Sequence, residues 1–289
     1  MNLVERAEFS SPERRVQIGI LALEVNEYHG TEIISAVPPE TTRDISGSPV
    51  QGLHVWSQES SEIPIFHDST STYGFLKLPV GKQRIFIQDP KNYYQPYALE
   101  IDVKPERYHV KEMLERGITP PPGSEGLIKR RVLLRHNFRF PLSSGKAAVW
   151  GQVRKDQGRP LPFSWLEFET RLNGNVGKIR TYTGIDGMYL AFFPQERGII
   201  IGGTNQRHVE IIRAVEIFQL IAPWADEIAE QDALSILPPS IDQLTILEFQ
   251  SFWTPANNFH FLKDGEPDQA TSNLSVHVER SVRWDIIVQ

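Results

Sequence analysis

From one end of this chain to the other, apolar residues recur at every second position in short runs, and most runs stop near Gly, Pro or Asp. That period belongs to a strand, whose side chains point alternately to two faces; a helical stripe repeats every three to four residues. In RRVQIGILALEV, Val16, Ile18, Ile20 and Ala22 fall on one face while Leu21, Leu23 and Val25 thicken the other, which predicts a strand covered on both sides. GLHVWSQ and IPIFHDST follow as short strands after a turn at Gly47-Ser48-Pro49. TYGFLKLPVGKQRIFIQDP predicts two strands around a turn at Pro79-Val80-Gly81, and YALEIDVKP puts Leu99, Ile101 and Val103 on a single face. The fold class this predicts is all-β.

One nearby segment breaks the pattern. In YHVKEMLER, residues 108–116, Val110, Met113 and Leu114 share a helical face and Gly117 supplies the stop. ITPPPGSEG follows, and consecutive prolines favour an extended spacer because they neither donate to a ladder nor continue a helix. The chain therefore divides into a first β-sandwich over 1–107, a short helix and Pro-rich linker over 108–125, and a second β-sandwich over 126–289. The second begins with the strands KAAVWGQVRK and FSWLEFETRL. In TYTGIDGMYLAFFP, two strands are expected to meet at Asp186-Gly187, where Gly takes the positive φ of a tight hairpin. Beyond residue 200, VEIIRAVEIFQLI fits both periods and PWADEIAEQDALSIL looks helical, so 200–268 reads as a mixed insertion before the closing strands of NLSVHVERSVRWDIIV.

Composition narrows the chemistry. A formal charge of −6 argues against nucleic acid as a partner, and the basic stretch IKRRVLLRHNFRF reads as a solvated strand entry. With no cysteine, disulfides, thiol catalysis and Cys-based metal sites are excluded. The amino terminus is charged and lacks the apolar core of a signal peptide, and no run approaches the ~18 apolar residues of a membrane helix. These features predict a cytoplasmic protein with no membrane insertion.

His109 and Glu112, with His208 further on, offer the residue types of a zinc site, which makes a zinc enzyme one alternative. The first two, however, fall on a one- or two-turn amphipathic helix at a linker, where solvent-facing side chains are the simpler account. No Gly-x-Ser-x-Gly elbow is present, and GNVGK lacks the rest of a phosphate cradle. The expectation is no catalytic residue, no metal and no cofactor. In FQSFWTPANNFHF, aromatics interleave with Pro and Asn, and Phe249, Phe252, Trp253, Phe259 and Phe261 become candidates for docking a partner. The alternative is a loop folded over its own sandwich.

A weak internal repeat runs through both halves. Gly47-x-Pro49-Val50 leads to TYGFLKLPVG, with Gly74 and Gly81 as turn glycines; Gly158-x-Pro160-Leu161 leads to IDGMYLAFFP, with Asp186 and Gly187 as the turn. These segments, residues 47–90 and 158–194, resemble the carboxypeptidase regulatory-like family, a transthyretin-like (Ig-like) sandwich. The first copy departs from that pattern, having Thr72-Tyr73-Gly74 where Asp-Gly is usual. Residues 138–194 are also similar to sandwich domains of phage-tail-like contractile injection systems. The resemblance implies two tandem sandwiches in a non-catalytic structural or adaptor protein, a cap or accessory component. Its implied partners are sheath, tube or cap subunits, with the chain oligomeric inside the particle. A place at the baseplate periphery and a carbohydrate- or ligand-binding module are the other readings.

Overall fold

The computed structural model describes residues 18–33, 42–103, 127–142, 147–172, 175–193, 208–220, 253–256, 258–263, 266–268, 274–277 and 281–289. Among these residues every regular element is a strand. The first eight are β1 (Ile18–Ile33), β2 (Thr42–Pro49), β3 (His54–Ser57), β4 (Ile65–His67), β5 (Thr72–Pro79), β6 (Gly81–Gln88), β7 (Tyr97–Val103) and β8 (Leu127–Leu134). The rest are β9 (Ala147–Lys155), β10 (Trp165–Leu172), β11 (Asn175–Tyr182), β12 (Met188–Phe193), β13 (His208–Leu220), β14 (Trp253–Pro255), β15 (Phe259–Lys263), β16 (Glu266–Asp268), β17 (Leu274–His277) and β18 (Ser281–Val288). The predicted helices at 108–116 and 223–237, and the linker itself, lie outside the described residues. Residues 208–220, whose sequence fits either period, form one long strand.

The first core lies between the β4–β5–β1–β8 side of one sheet and the sheet β3–β6–β7. Leu21, Leu23 and Val25 of β1 point into it and are fully buried, as are Phe75, Ile85 and Leu99. Burying such a side chain contributes roughly 1.5–3 kcal/mol, which is why the alternation fixes the facing of each strand. β8, whose residues the sequence assigns to the second sandwich, runs parallel to β1 and contributes Val132 and Leu134 to this first core. The second core lies between β10, β11 and β13 on one side and the sheet β12–β9–β18–β15–β16 on the other, filled by Phe168, Tyr189, Trp284 and Ile286.

The two sandwiches repeat one scaffold. β5–β1–β8 and β12–β9–β18 share strand order and direction, the first pair antiparallel and the second parallel. The N–H of Val50 donates to Val25 O, and that of Leu161 to Val153 O, both at 2.9 Å. The apolar residue of each Gly-x-Pro motif is thus tied to the equivalent point of β1 or β9.

Four turn assignments change. Gly47-Ser48-Pro49, expected to turn the chain, is the end of strand β2, with Pro49 opposite Asn26 of β1. Gly187 does take a positive φ, 73°, with its N–H donating to Gly184 O and the Asp186 carboxylate accepting the Met188 N–H. The flanking strands nevertheless do not pair: β11 joins β10 and β1, β12 joins β9, and the turn carries the chain between opposed sheets. Gly81, at φ 114°, likewise starts a strand in the sheet facing β5. Gly74 is no turn residue at all. It lies within β5, opposite Ala22 of β1 and Ile65 of β4. The counterpart of Gly187 is Ser71, at φ 50°. Each precedes a buried tyrosine by two residues, Tyr73 and Tyr189, that pair with Leu23 and Gly151 at matching points of β1 and β9.

Candidate functional site

Two places draw on residues from several elements. The first is the junction. β1 is longer than the first sandwich needs: its residues 26–33 pair with β2, and Thr31 and Glu32 reach Lys178 and Gly177 of β11. One ten-stranded sheet therefore runs through both sandwiches. Arg135 is 3% exposed, its guanidinium lying 4.6 Å from the ring centre of Tyr28 and 4.7 Å from that of Trp165, with Nε donating to Arg180 O. Such stacking stabilises a buried cation that would otherwise lose its hydration. Burial raises the Tyr28 phenol to about 12. Gln95 donates to Tyr182 O, and the Tyr182 hydroxyl donates back to Pro96 O.

Beside this lies Glu27, whose carboxylate accepts the Tyr94 hydroxyl at 2.5 Å and meets His29 Nε2 at 3.0 Å. Burial alone would raise this carboxyl, but those two hydrogen bonds and the nearby His136 and His29 outweigh it and hold the pKa at about 2. His136 in turn packs against Phe140 of its own segment and Phe192 of β12. The junction is thus a fastening made of aromatic stacking and shielded charge.

The second place is the outer face of β4–β5–β1–β8. Across it run two rows, Ile65–Gly74–Ala22–Lys129 and His67–Thr72–Glu24–Arg131. Gly74 and Ala22 form a low floor, and the side chains on either side leave an open groove of about 770 Å³. One wall is cationic, with Lys129 and Arg131 on this face; Glu24, the one carboxylate among the described lining residues, meets Arg131 at 3.4 Å. The opposite side mixes His67, Thr70 and Thr72 with Leu76, 42% exposed, and Ile65, 50% exposed, lies beside it. Glu62 accepts the N–H groups of Leu76 and Lys77 at 2.7 and 2.8 Å and so closes the adjoining edge of β5. Among the described residues, the face expected to be covered is open along this groove.

The aromatic docking candidates fare differently. Trp253 is 6% exposed and donates its indole N–H to Phe163 O at 2.9 Å; Phe261 is 4% exposed and stacks on Trp284. Both are core residues, so the docking role expected of them is withdrawn: pairing of β15 with β18 turns Phe261 into the sandwich. Phe259 is partly buried against the same core. Phe249 and Phe252 lie outside the described residues, as do His109 and Glu112; His208 lies in β13 opposite His277. Among the described residues no three metal-ligating side chains come together. The sequence reading missed the groove; a glycine inside an otherwise regular strand was its one signal.

No family model matches the chain, and no curated protein matches it. Among solved structures it is similar to the Bacillus anthracis TIE protein, at 11% identity over 68% of this chain and 28% of that one, with a TM-score of 0.22. It is similar to a streptococcal ancillary pilin at 10% identity, covering 94% of this chain and 63% of the other, with a TM-score of 0.20. A pilus-presented adhesin gives 7% identity, 94% and 78% coverage, and a TM-score of 0.23. The chain thus spans less than two thirds of the first two structures. Scores at this level establish no shared topology, so the strand pairings alone make this an all-β protein of packed sheets.

Proposed function

We propose that this chain is a non-catalytic structural adaptor, two transthyretin-like sandwiches fastened together as one subunit of a larger particle. The observation that carries the reading is the junction: β1 spends its second half binding β2 and β11, and Arg135 is buried between Tyr28 and Trp165. A long strand shared by two modules costs conformational entropy that neither core needs, and it yields a fixed spacing between their faces. Fixed spacing is what a building block requires. The similarity of residues 138–194 to domains of contractile injection systems supports a cap or accessory position in such a particle, among sheath, tube or cap subunits. The carbohydrate-binding alternative loses its main anchor, because Trp253 is buried.

The test is to purify intact particles from cells carrying a tagged copy and identify their proteins by mass spectrometry. The reading expects this chain in the particle at a fixed ratio to sheath or tube subunits. Its absence from intact particles would overturn the reading.

A further inference from the structure

We propose that the groove on the outer face of β5–β1–β8 receives an extended, acidic segment of a partner protein. This names the docking surface and partner chemistry of the adaptor reading and rests on it. Three independent features converge on the groove.

The first is its floor. Glycine inside a strand costs roughly 0.5–1 kcal/mol relative to alanine, so a strand glycine calls for a reason. At Gly74 the backbone is not left-handed, and the atoms nearest an added Cβ would be the His67 ring at 3.5 Å and Ile65 O at 3.7 Å, ordinary contact distances. The fold therefore does not require glycine there. What its absence of a side chain creates is the trough, together with Ala22 beside it.

The second is the counterpart in the other sandwich. By the strand pairings, the row Gly74–Ala22–Lys129 corresponds to Leu190–Trp150–Arg283. There Leu190 is 2% exposed and the Arg283 guanidinium lies 5.5 Å from the Trp150 ring centre. Among the described residues, one scaffold thus has these positions filled by large side chains, while its twin has Gly74 and Ala22 there, with the His67 ring beside Gly74.

The third is charge. On this face Lys129 and Arg131 meet one carboxylate among the described residues, Glu24, in a chain whose formal charge is −6. Cations opposite the exposed Leu76 and Ile65, with the hydroxyls of Thr70 and Thr72 between, suit a chain that alternates carboxylates with apolar residues, the period of an extended strand. Among the described residues no Phe, Tyr or Trp lines the groove to stack a sugar or a base; its one aromatic ring is the His67 imidazole.

A display library of random short peptides, panned on the wild-type protein, tests this. The selected pool is expected to be rich in Asp and Glu alternating with apolar residues. A peptide synthesised from it should bind at least ~10-fold more weakly to Gly74→Val and to Lys129→Glu, with melting temperatures unchanged. A pool without acidic enrichment, no enriched pool, or a peptide that binds either variant as tightly as it binds the wild type would overturn the proposal. Particle membership is measured separately, so the groove can fail while the adaptor reading stands.

Discussion

On the outer face of the first sandwich, Gly74 and Ala22 lie side by side with Lys129 next to them; at the same three places the second sandwich carries Leu190, Trp150 and Arg283. The inner faces differ in the opposite sense. Where β1 has Leu23 in the first core, β9 has Gly151, because the carbonyl of Trp284 approaches so closely that a Cβ there would lie 2.0 Å from it. β18 leaves its regular ladder at that point: Tyr189 donates its hydroxyl to Trp284 O, and Gln152 N–H goes to the Asp285 carboxylate. The second sandwich has used its interior and its outer face for its own packing. The first has kept a regular interior and, among the described residues, only small side chains at those outer positions, which teaches that the same strand scaffold can be spent on stability or on a surface.

The largest expected effect probes that contrast directly. Gly151→Ala forces the carbonyl of Trp284 aside and should cost more than ~3 kcal/mol in urea unfolding. A variant with the wild-type midpoint would mean that β9 and β18 do not approach as described. Next come the paired turns. Gly187→Val puts a branched side chain at φ 73°, with a Cβ 2.7 Å from Val153 O, and should cost ~2 kcal/mol, whereas Ser71→Gly at the matching turn relieves a left-handed serine and should stabilise by up to ~1 kcal/mol. Opposite signs by calorimetry sharpen the equivalence; equal signs break it.

Glu27 distinguishes the junction from both sandwiches. Its carboxyl is held at about 2 against an ordinary 4.5, so the folded state favours the charged form. The stabilisation is therefore present above about 4.5 and is lost as pH falls from there towards 2. Glu27→Gln should lower stability at pH 7 by on the order of 2 kcal/mol and flatten the acid limb of the stability profile. Denaturation midpoints of the two proteins that fall in parallel between those pH values would contradict this. The smallest effect belongs to Gly74→Val, which meets only ordinary contacts and should shift stability by less than ~0.5 kcal/mol by urea titration.

Strand identity was legible because period-two burial is written locally: Leu21, Leu23 and Val25, or Leu99, Ile101 and Val103, point inward as their spacing requires. The left-handed Gly187 was legible for the same reason, since Asp-Gly fixes its own turn. What joins across distance was not. The parallel pairing of β8 with β1 links residues more than a hundred positions apart, and nothing in LIKRRVLL names its neighbour. The repeat was visible, but matching Gly74 to Gly187 misaligned it; the buried Tyr73 and Tyr189 set the register, and Ser71 hid the turn because it is not glycine. Trp253 and Phe261 looked like a docking loop because Pro255 and the nearby asparagines signal irregular chain, while their burial depends on β18 and on the carbonyl of Phe163. The groove needs three strands from separate stretches, so only its glycine could hint at it.

The most direct measurement transplants one face onto the other. In Ala22→Trp combined with Gly74→Leu, the first sandwich acquires the side chains that fill the second. Particles assembled with wild-type or doubly substituted chain are compared by quantitative mass spectrometry, alongside melting curves of the isolated proteins. The account predicts wild-type chain at a fixed ratio in the particle, and the variant folded at nearly the wild-type melting temperature but depleted at least ~10-fold from it. Incorporation of the folded variant at the wild-type level would contradict it.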